Sequence, residues 1–251
     1  MQGSPHVNSP TFILVHGAWH AGACWQAVAD LLRARGCNVL APDLPGHGEN
    51  ELPLAKVTLK AYTDSIVALL DAATAPVTLV GHSMAGAVVS EAATRRPGKV
   101  ARLVFLCAYL PCDGESIFDV IALNRSHEPF TAIDLALQLS DDRRSCTVAP
   151  EQIVPLFYNC APATAADDAT AHFGVQATLP LAAKTRIDET AWERLKCTYI
   201  LCAQDKVIPV HHQRRMLTRR HCDVLLQLDT DHSPFVSCPD QLALVLQACV
   251  D

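Results

Sequence analysis

No run of apolar residues in the 251-residue chain reaches the ~18 needed to cross a bilayer, so the sequence offers no membrane span. The opening residues, MQGSPHVNSP, lack a basic segment followed by an apolar one and do not read as an export signal; residues 1–10 read as a flexible lead-in. Charge is scarce at 18% and the net balance is −6, which speaks against a nucleic-acid partner, since such a partner needs a basic face. The pairs Arg95-Arg96, Arg143-Arg144 and Arg219-Arg220 are too short to reverse that sign. No CxxC pair occurs and no Cys/His cluster has zinc spacing, so no metal is expected. Cysteine itself is plentiful, eleven in all. Without an export signal this odd number reads as buried free thiols in a reducing cytoplasm. Half the residues are hydrophobic, which is enough for one sizeable α/β core.

The apolar residues fall into two alternating patterns. Thr11–His16, Asn38–Ala41, Val77–Val80 and Leu103–Ala108 are short apolar runs bounded by glycine, proline or polar residues, as buried strands are. Between them Trp25, Val28, Ala29 and Leu32, then Tyr62, Ile66, Leu69, Leu70 and Ala73, recur at helical spacing, and Met84–Arg96 reads as a helix stopped by Pro97. This alternation implies crossover connections, hence a mostly parallel sheet with helices on both faces. The rhythm breaks in residues 110–190, rich in Asp, Ala and Pro, with helical clusters expected over Ile117–Leu123, Ile133–Leu139 and Ile153–Tyr158. That segment reads as a helical cap inserted into a core formed by residues 11–109 and 191–251. Strands resume at Thr198–Ala203 and Asp223–Leu228, with helices over Val210–Thr218 and Pro239–Val250.

Chemistry concentrates where these strands end. Val80-Gly81-His82-Ser83-Met84-Ala85-Gly86 lies between a strand and a helix, the context of a nucleophile elbow, with Ala85 where a second glycine is usual. Such a turn exposes the serine hydroxyl and aims the helix N-terminus at it. A serine nucleophile needs a base and the base an orienting acid; on such sheets the chain order is serine, acid, histidine. His232 follows the last strand and alone among eleven histidines has both position and order. Asp205 follows Thr198–Ala203; Asp113, after Leu103–Ala108, is the rival acid. Asp229 and Asp231 stand too near His232 in the chain. Backbone amides of Ala18, in the loop after the first strand, and of Met84 are the candidate oxyanion donors, with His16 and His82 as structural hydrogen-bonders nearby. Gly17, Trp19, Phe130 and Phe157 are candidates for substrate contact.

The blocks HGAWHAGACW, APDLPGHG, LVGHSMAG, YILCAQDKVIP and TDHSPFVSCP resemble the α/β-hydrolase superfamily. More narrowly they resemble its branch of plant methylesterases, plant hydroxynitrile lyases and bacterial esterases such as pyrethroid hydrolases. The resemblance spans about residues 11–110 and 196–250, and the cap matches only in size and helical character. It implies an α/β-hydrolase fold, with Ser83, Asp205 and His232 as catalytic triad and the amides of Ala18 and Met84 as oxyanion hole. The lyases of this branch carry threonine at the position of Gly17 and lysine at that of Ser233, so the chain departs from them at both. The plant esterases typically carry methionine where Ser233 stands, which is a departure too.

The expected activity is hydrolysis of neutral apolar or aromatic esters, pyrethroid-like esters included, through an acyl-enzyme, and it requires no cofactor. Hydroxynitrile lyase chemistry on the same residues and a non-catalytic small-molecule receptor are the alternatives. The partner expected is a small-molecule ester, and a homodimer is allowed. The apolar cap residues Phe118, Ile121, Leu123, Phe130, Leu135, Leu156 and Phe157 are divided between cap core and pocket wall, with Arg125 and Arg186 the cations that would matter if the pocket took anions.

Overall fold

In the computed structural model, which describes residues 9–125 and 131–250, the strand–helix alternation becomes one parallel sheet. The first half runs β1 (Thr11–Val15), α1 (Gln26–Ala34), β2 (Asn38–Leu40), α2 (Leu59–Ala72), β3 (Val77–His82), α3 (Ala85–Arg95) and β4 (Val100–Leu106). The cap follows as α4 (Ile117–Arg125), α5 (Ala132–Ala136), β5 (Leu137–Leu139), β6 (Ser145–Val148), α6 (Pro150–Phe157), α7 (Ala163–Ala171), β7 (Gln176–Ala177), α8 (Leu179–Ala182) and α9 (Glu189–Trp192). The core closes with β8 (Cys197–Cys202), α10 (Val210–Arg219), β9 (Val224–Leu228), α11 (Pro234–Ser237) and α12 (Pro239–Ala248).

The six core strands pair in the order β2-β1-β3-β4-β8-β9, every pair parallel. Side chains alternate across the sheet, so consecutive residues feed different cores. Phe12, Leu14, Val80, Val104 and Ile200 join Val28 and Leu32 of α1 and Leu242 and Leu246 of α12 on one face. Ile13, Val15, Leu79, Phe105 and Tyr199 join α2, α3 and the apolar residues of the cap on the other. Each fully buried leucine of these layers contributes about 1.5–3 kcal/mol relative to exposure, which makes a register slip on any central strand prohibitive.

The cap differs from the sequence expectation in one respect. Its regular structure is mostly helical, but β5, β6 and β7 also form a small antiparallel sheet. The expected helix over Ile133–Leu139 starts at a Thr131–Asp134 capping box, is helix only to Ala136 and continues as β5. The flexible lead-in falls largely outside the described residues. Among the described residues no helix is long and apolar enough to cross a membrane.

Candidate active site

Ser83 follows β3 directly and has φ 53°, the left-handed region, which an ordinary residue holds only where its surroundings over-determine it. The restraints are visible. Ser83 N donates to Leu106 O (3.3 Å), while Ser83 O accepts from Gly86 N (3.1 Å) and Tyr109 N (3.0 Å). A Cβ at Gly86 would lie 1.9 Å from Tyr109 O, so that position excludes every side chain, whereas Ala85 is fully buried without conflict. Gly86, three after the serine, is therefore a position of this elbow that admits no larger residue. On the other side, a Cβ at Gly17 would come within 2.8 Å of both Ser83 Cβ and His82 Nδ1, so the loop after β1 passes directly against the elbow.

α3 starts behind Ser83 with no side-chain cap. The amides of Met84 and Ala18 find no acceptor among the described residues, and both residues border the same cavity as Ser83. Two unpaired N–H groups beside a serine are chemically able to donate to an anion.

Asp205 and His232 reach each other from the ends of β8 and β9. His232 Nδ1 donates to Asp205 Oδ2 at 2.8 Å, both side chains being buried. With the Nδ1 proton directed at the carboxylate, Nε2 is the ring nitrogen that this bond leaves uncommitted. Asp205 Oδ1 accepts from the amides of Val207 and Ile208, each at 2.8 Å, and Oδ2 also accepts from Gln213 Nε2 at 3.2 Å. Gln213, on α10, has no counterpart in the sequence reading. The rival acid Asp113 lies elsewhere, accepting from Ile187 N at 2.8 Å. Asp229 accepts from Gln204, and Asp231 ties Cys160 N, Ser233 N and Ser237 into the loop; burial pushes the Asp231 carboxyl up.

Four more imidazoles surround this site, all neutral by burial. His16 and His82 are held well below the usual histidine range, His47 lower than usual, and His20 is pushed down to about 4; in each case burial is the first cause. His82 Nε2 and Cys107 Sγ both donate to the His232 carbonyl, at 2.8 and 3.4 Å. The nitrogen and sulfur atoms of His82, Cys107 and His232 cluster within 4.8 Å; His82 Nε2 and Cys107 Sγ are taken up by the His232 carbonyl and His232 Nδ1 by Asp205, while His82 Nδ1 is buried without a hydrogen-bond partner among the described residues.

A cavity of about 310 Å³ opens above Ser83, walled by Trp19, Met84, Ile117, Phe118, Ile121 and Leu137 among others. Of the sequence candidates for substrate contact, Trp19 borders it. Phe157 does not: its ring packs edge-on against Trp19 (5.7 Å), Phe173 (4.9 Å) and His232 (5.5 Å), inside the cap core. Gly17 acts by close approach to Ser83 rather than as wall, and Phe130 lies outside the described residues. Leu135 points to solvent at 78% exposure, and Leu156 is buried in the core.

The sequence model of the Alpha/beta hydrolase family matches residues 12–244, and the chain belongs to that family. Among relatives, a pyrethroid hydrolase of Sphingobium wenxiniae is 32% identical, with 92% of this chain and 84% of that protein aligned. Methylesterase 7 of Arabidopsis thaliana is 30% identical, with 97% of each covered. The crystal structure of a pyrethroid hydrolase from Sphingobium faniae superposes with TM-score 0.87 at 31% identity, covering 97% of this chain and 98% of that one. Polyneuridine aldehyde esterase, at 22% identity, shares the fold with TM-score 0.87. The chain is thus an enzyme of the serine esterase type on an α/β-hydrolase fold.

Proposed function

We propose that the chain hydrolyses neutral carboxylic esters with an apolar or aromatic part, through an acyl-enzyme on Ser83. Ser83 Oγ adds to the ester carbonyl as its proton passes to His232 Nε2; the carbonyl oxygen takes the negative charge and the Ala18 and Met84 amides receive it. Collapse expels the alkoxide, which leaves as the alcohol with the proton from His232. Water then repeats the sequence on the acyl-enzyme and releases the acid. Asp205 holds the tautomer and balances the imidazolium. The observation that carries this reading is the left-handed Ser83, seated between two unpaired amides at the floor of the cavity.

The substrate class follows from the wall. No lysine or arginine among the described residues whose side chains are placed borders the cavity, and its one carboxylate, Asp134, is engaged by the Thr131 amide and hydroxyl, each at 2.9 Å. Arg186 stands away, its amide bound to Glu91 on α3. A charged acyl part would lose its hydration there without a partner. The named pyrethroid hydrolase relatives support bulky apolar esters as the class to test first. Lyase chemistry has less support: Ser233 offers no cation, and any side chain at position 17 would press on His82 and Ser83. Eleven free thiols, most of them buried, fit a cytoplasmic location.

The test is turnover of a chromogenic acyl ester and labelling by a fluorophosphonate. Ser83→Ala is expected to lose both, with turnover lower by about 10⁴-fold and the fold unchanged. A folded Ser83→Ala protein with near-native turnover defeats the mechanism.

A further inference from the structure

The loop that carries the Ala18 amide is held in an unusual way. Trp19, at its apex, has φ 62°, a left-handed conformation that costs on the order of 1 kcal/mol for a bulky residue and persists only under restraint. The restraints come from imidazoles and from the cap. His16 Nδ1 donates to Gly17 O at 2.8 Å, with Leu44 N donating to its Nε2 at 3.0 Å. His20 Nδ1 donates to Ala18 O at 3.0 Å, with the Tyr158 hydroxyl donating to its Nε2 at 2.9 Å. Trp19 O accepts from Gly174 N at 2.7 Å, and the Trp19 indole donates to Cys146 O at 3.1 Å. The carbonyls of three successive peptides are thereby pinned. Three of these contacts, with Gly174, Tyr158 and Cys146, come from the cap, whereas His16 takes its partner from the core.

We propose that His20, with its tautomer set by the cap residue Tyr158, is a positioning residue for ester hydrolysis that keeps the Ala18 amide aimed at the oxyanion. The peptides on both sides of the Ala18 Cα are clamped, one by each histidine. Releasing the Ala18 carbonyl lets that Cα pivot and swings its N–H off the developing charge. Neither His20 nor Tyr158 touches the Asp205–His232 pair through a hydrogen bond, so the effect passes through the loop. A neutral ring is required for this double contact, and burial of His20 supplies it. The cap, which walls the cavity, thus also holds half of the oxyanion hole. This inference rests on the Ser83 esterase reading.

The experiment is steady-state kinetics of a chromogenic acyl ester on His20→Ala, His20→Asn, His20→Gln, Tyr158→Phe and the double variant His20→Ala/Tyr158→Phe, with unfolding midpoints to verify folding. Asparagine places its amide nitrogen where Nδ1 stands and can still donate to Ala18 O; glutamine places it where Nε2 stands and cannot. Expected are kcat lower by about 10-fold for His20→Ala and His20→Gln, about 3-fold for Tyr158→Phe, and substantial recovery in His20→Asn, all with KM nearly unchanged. The double variant falls no lower than His20→Ala alone, because both act through one contact. If His20→Ala does not fold, the Asn, Gln and Phe variants decide. Equal losses for Asn and Gln, or unchanged kcat in His20→Gln and Tyr158→Phe beside an inactive Ser83→Ala, overturn the proposal and leave the esterase reading standing. Turnover by Ser83→Ala would defeat the esterase reading itself.

Discussion

Ser83, Asp205 and His232 stand at or just beyond the carboxyl ends of β3, β8 and β9, whereas the cavity above them is walled largely by short pieces of the cap. The strand ends are locked by a continuous parallel ladder in which Leu106 faces Ile200 and Cys202 faces Leu228. The cap pieces that border the cavity are helices of nine, five and four residues and strands of three and four residues, held to the core by contacts such as Trp19 to Cys146. Ladders transmit position without depending on which side chain is used; the cap has only the short ladder of β5, β6 and β7 and leans on side-chain contacts as well. Chemistry and selectivity are therefore separable here, except at the loop of Ala18, where the two regions meet.

The strongest way to break this division is at the acids. Asp205→Asn leaves the strand-end hydrogen bonds largely replaceable but favours the wrong imidazole tautomer, so turnover is expected to fall by about 10³-fold or more with the unfolding midpoint little changed. Asp113→Asn, at the joint between core and cap, is expected to stay within about 2-fold of native turnover. Reversal of these two results in the same assay would place the acid on β4 rather than β8. Next in size is a pair of glycines. Gly17→Ala, on the core side, forces Ser83 or His82 to move and should cost about 10²-fold in kcat. Gly174→Ala, on the cap side, meets only Trp19 O at an ordinary 3.5 Å and should be nearly silent. Equal losses would show that the cap is as exacting as the core.

The core was the legible part of the sequence for a physical reason. Strands buried on both faces read as apolar runs, and residues such as Ser83, Asp205 and His232 occupy the positions just after them, so pattern and chemistry coincide. The cap has no such coincidence. Leu137-Gln138-Leu139 follows a helical stripe without a break in composition, and a two-residue strand such as Gln176–Ala177 has no period to read. An apolar residue of the cap looks the same whether it faces the cavity, as Ile121 does, or the interior, as Phe157 does. Gln213 and Tyr158 act through single hydrogen bonds to Asp205 and His20, the second spanning 138 residues, and nothing local announces such a contact.

Acid sharpens the comparison by striking the sheet end first. His20, with its folded pKa near 4 against 6.5 unfolded, takes up its proton on unfolding throughout that interval. Its contribution is therefore fully present above about pH 6.5 and is lost as pH falls toward 4, on the order of 2 kcal/mol by pH 5. His16 and His82, shifted in the same direction, add to the loss, while the raised Asp231 carboxyl acts in the opposite sense, disfavouring the folded state once it must ionise. Denaturant midpoints measured from pH 7.5 down to 5 should fall steadily. A flat profile would mean that these imidazoles have charged partners and are not neutral in the folded protein.

The smallest effect expected is the one that belongs to the cap alone. If the wall selects by solvation, a series of esters with one leaving group and acyl parts of equal size should separate by charge and not by chemistry at the carbonyl. A carboxylate in the acyl part must shed water into a space bordered by Trp19, Ile117 and Ile121, with Asp134 as the one carboxylate on its border among the described residues. Part of that cost is avoided by leaving the charge near the mouth, where Phe118 is 44% exposed, so the penalty is well below that of full burial. The neutral members should lead in kcat/KM by about 10-fold, a difference of about 1.4 kcal/mol, carried mainly by KM because the strand-end residues are common to all substrates. Ile121→Ala should narrow the range by admitting water and leave kcat for the neutral esters unchanged. Preference for the anionic esters would contradict the wall as described and direct attention to Arg125, the cation that the chain carries at the end of α4.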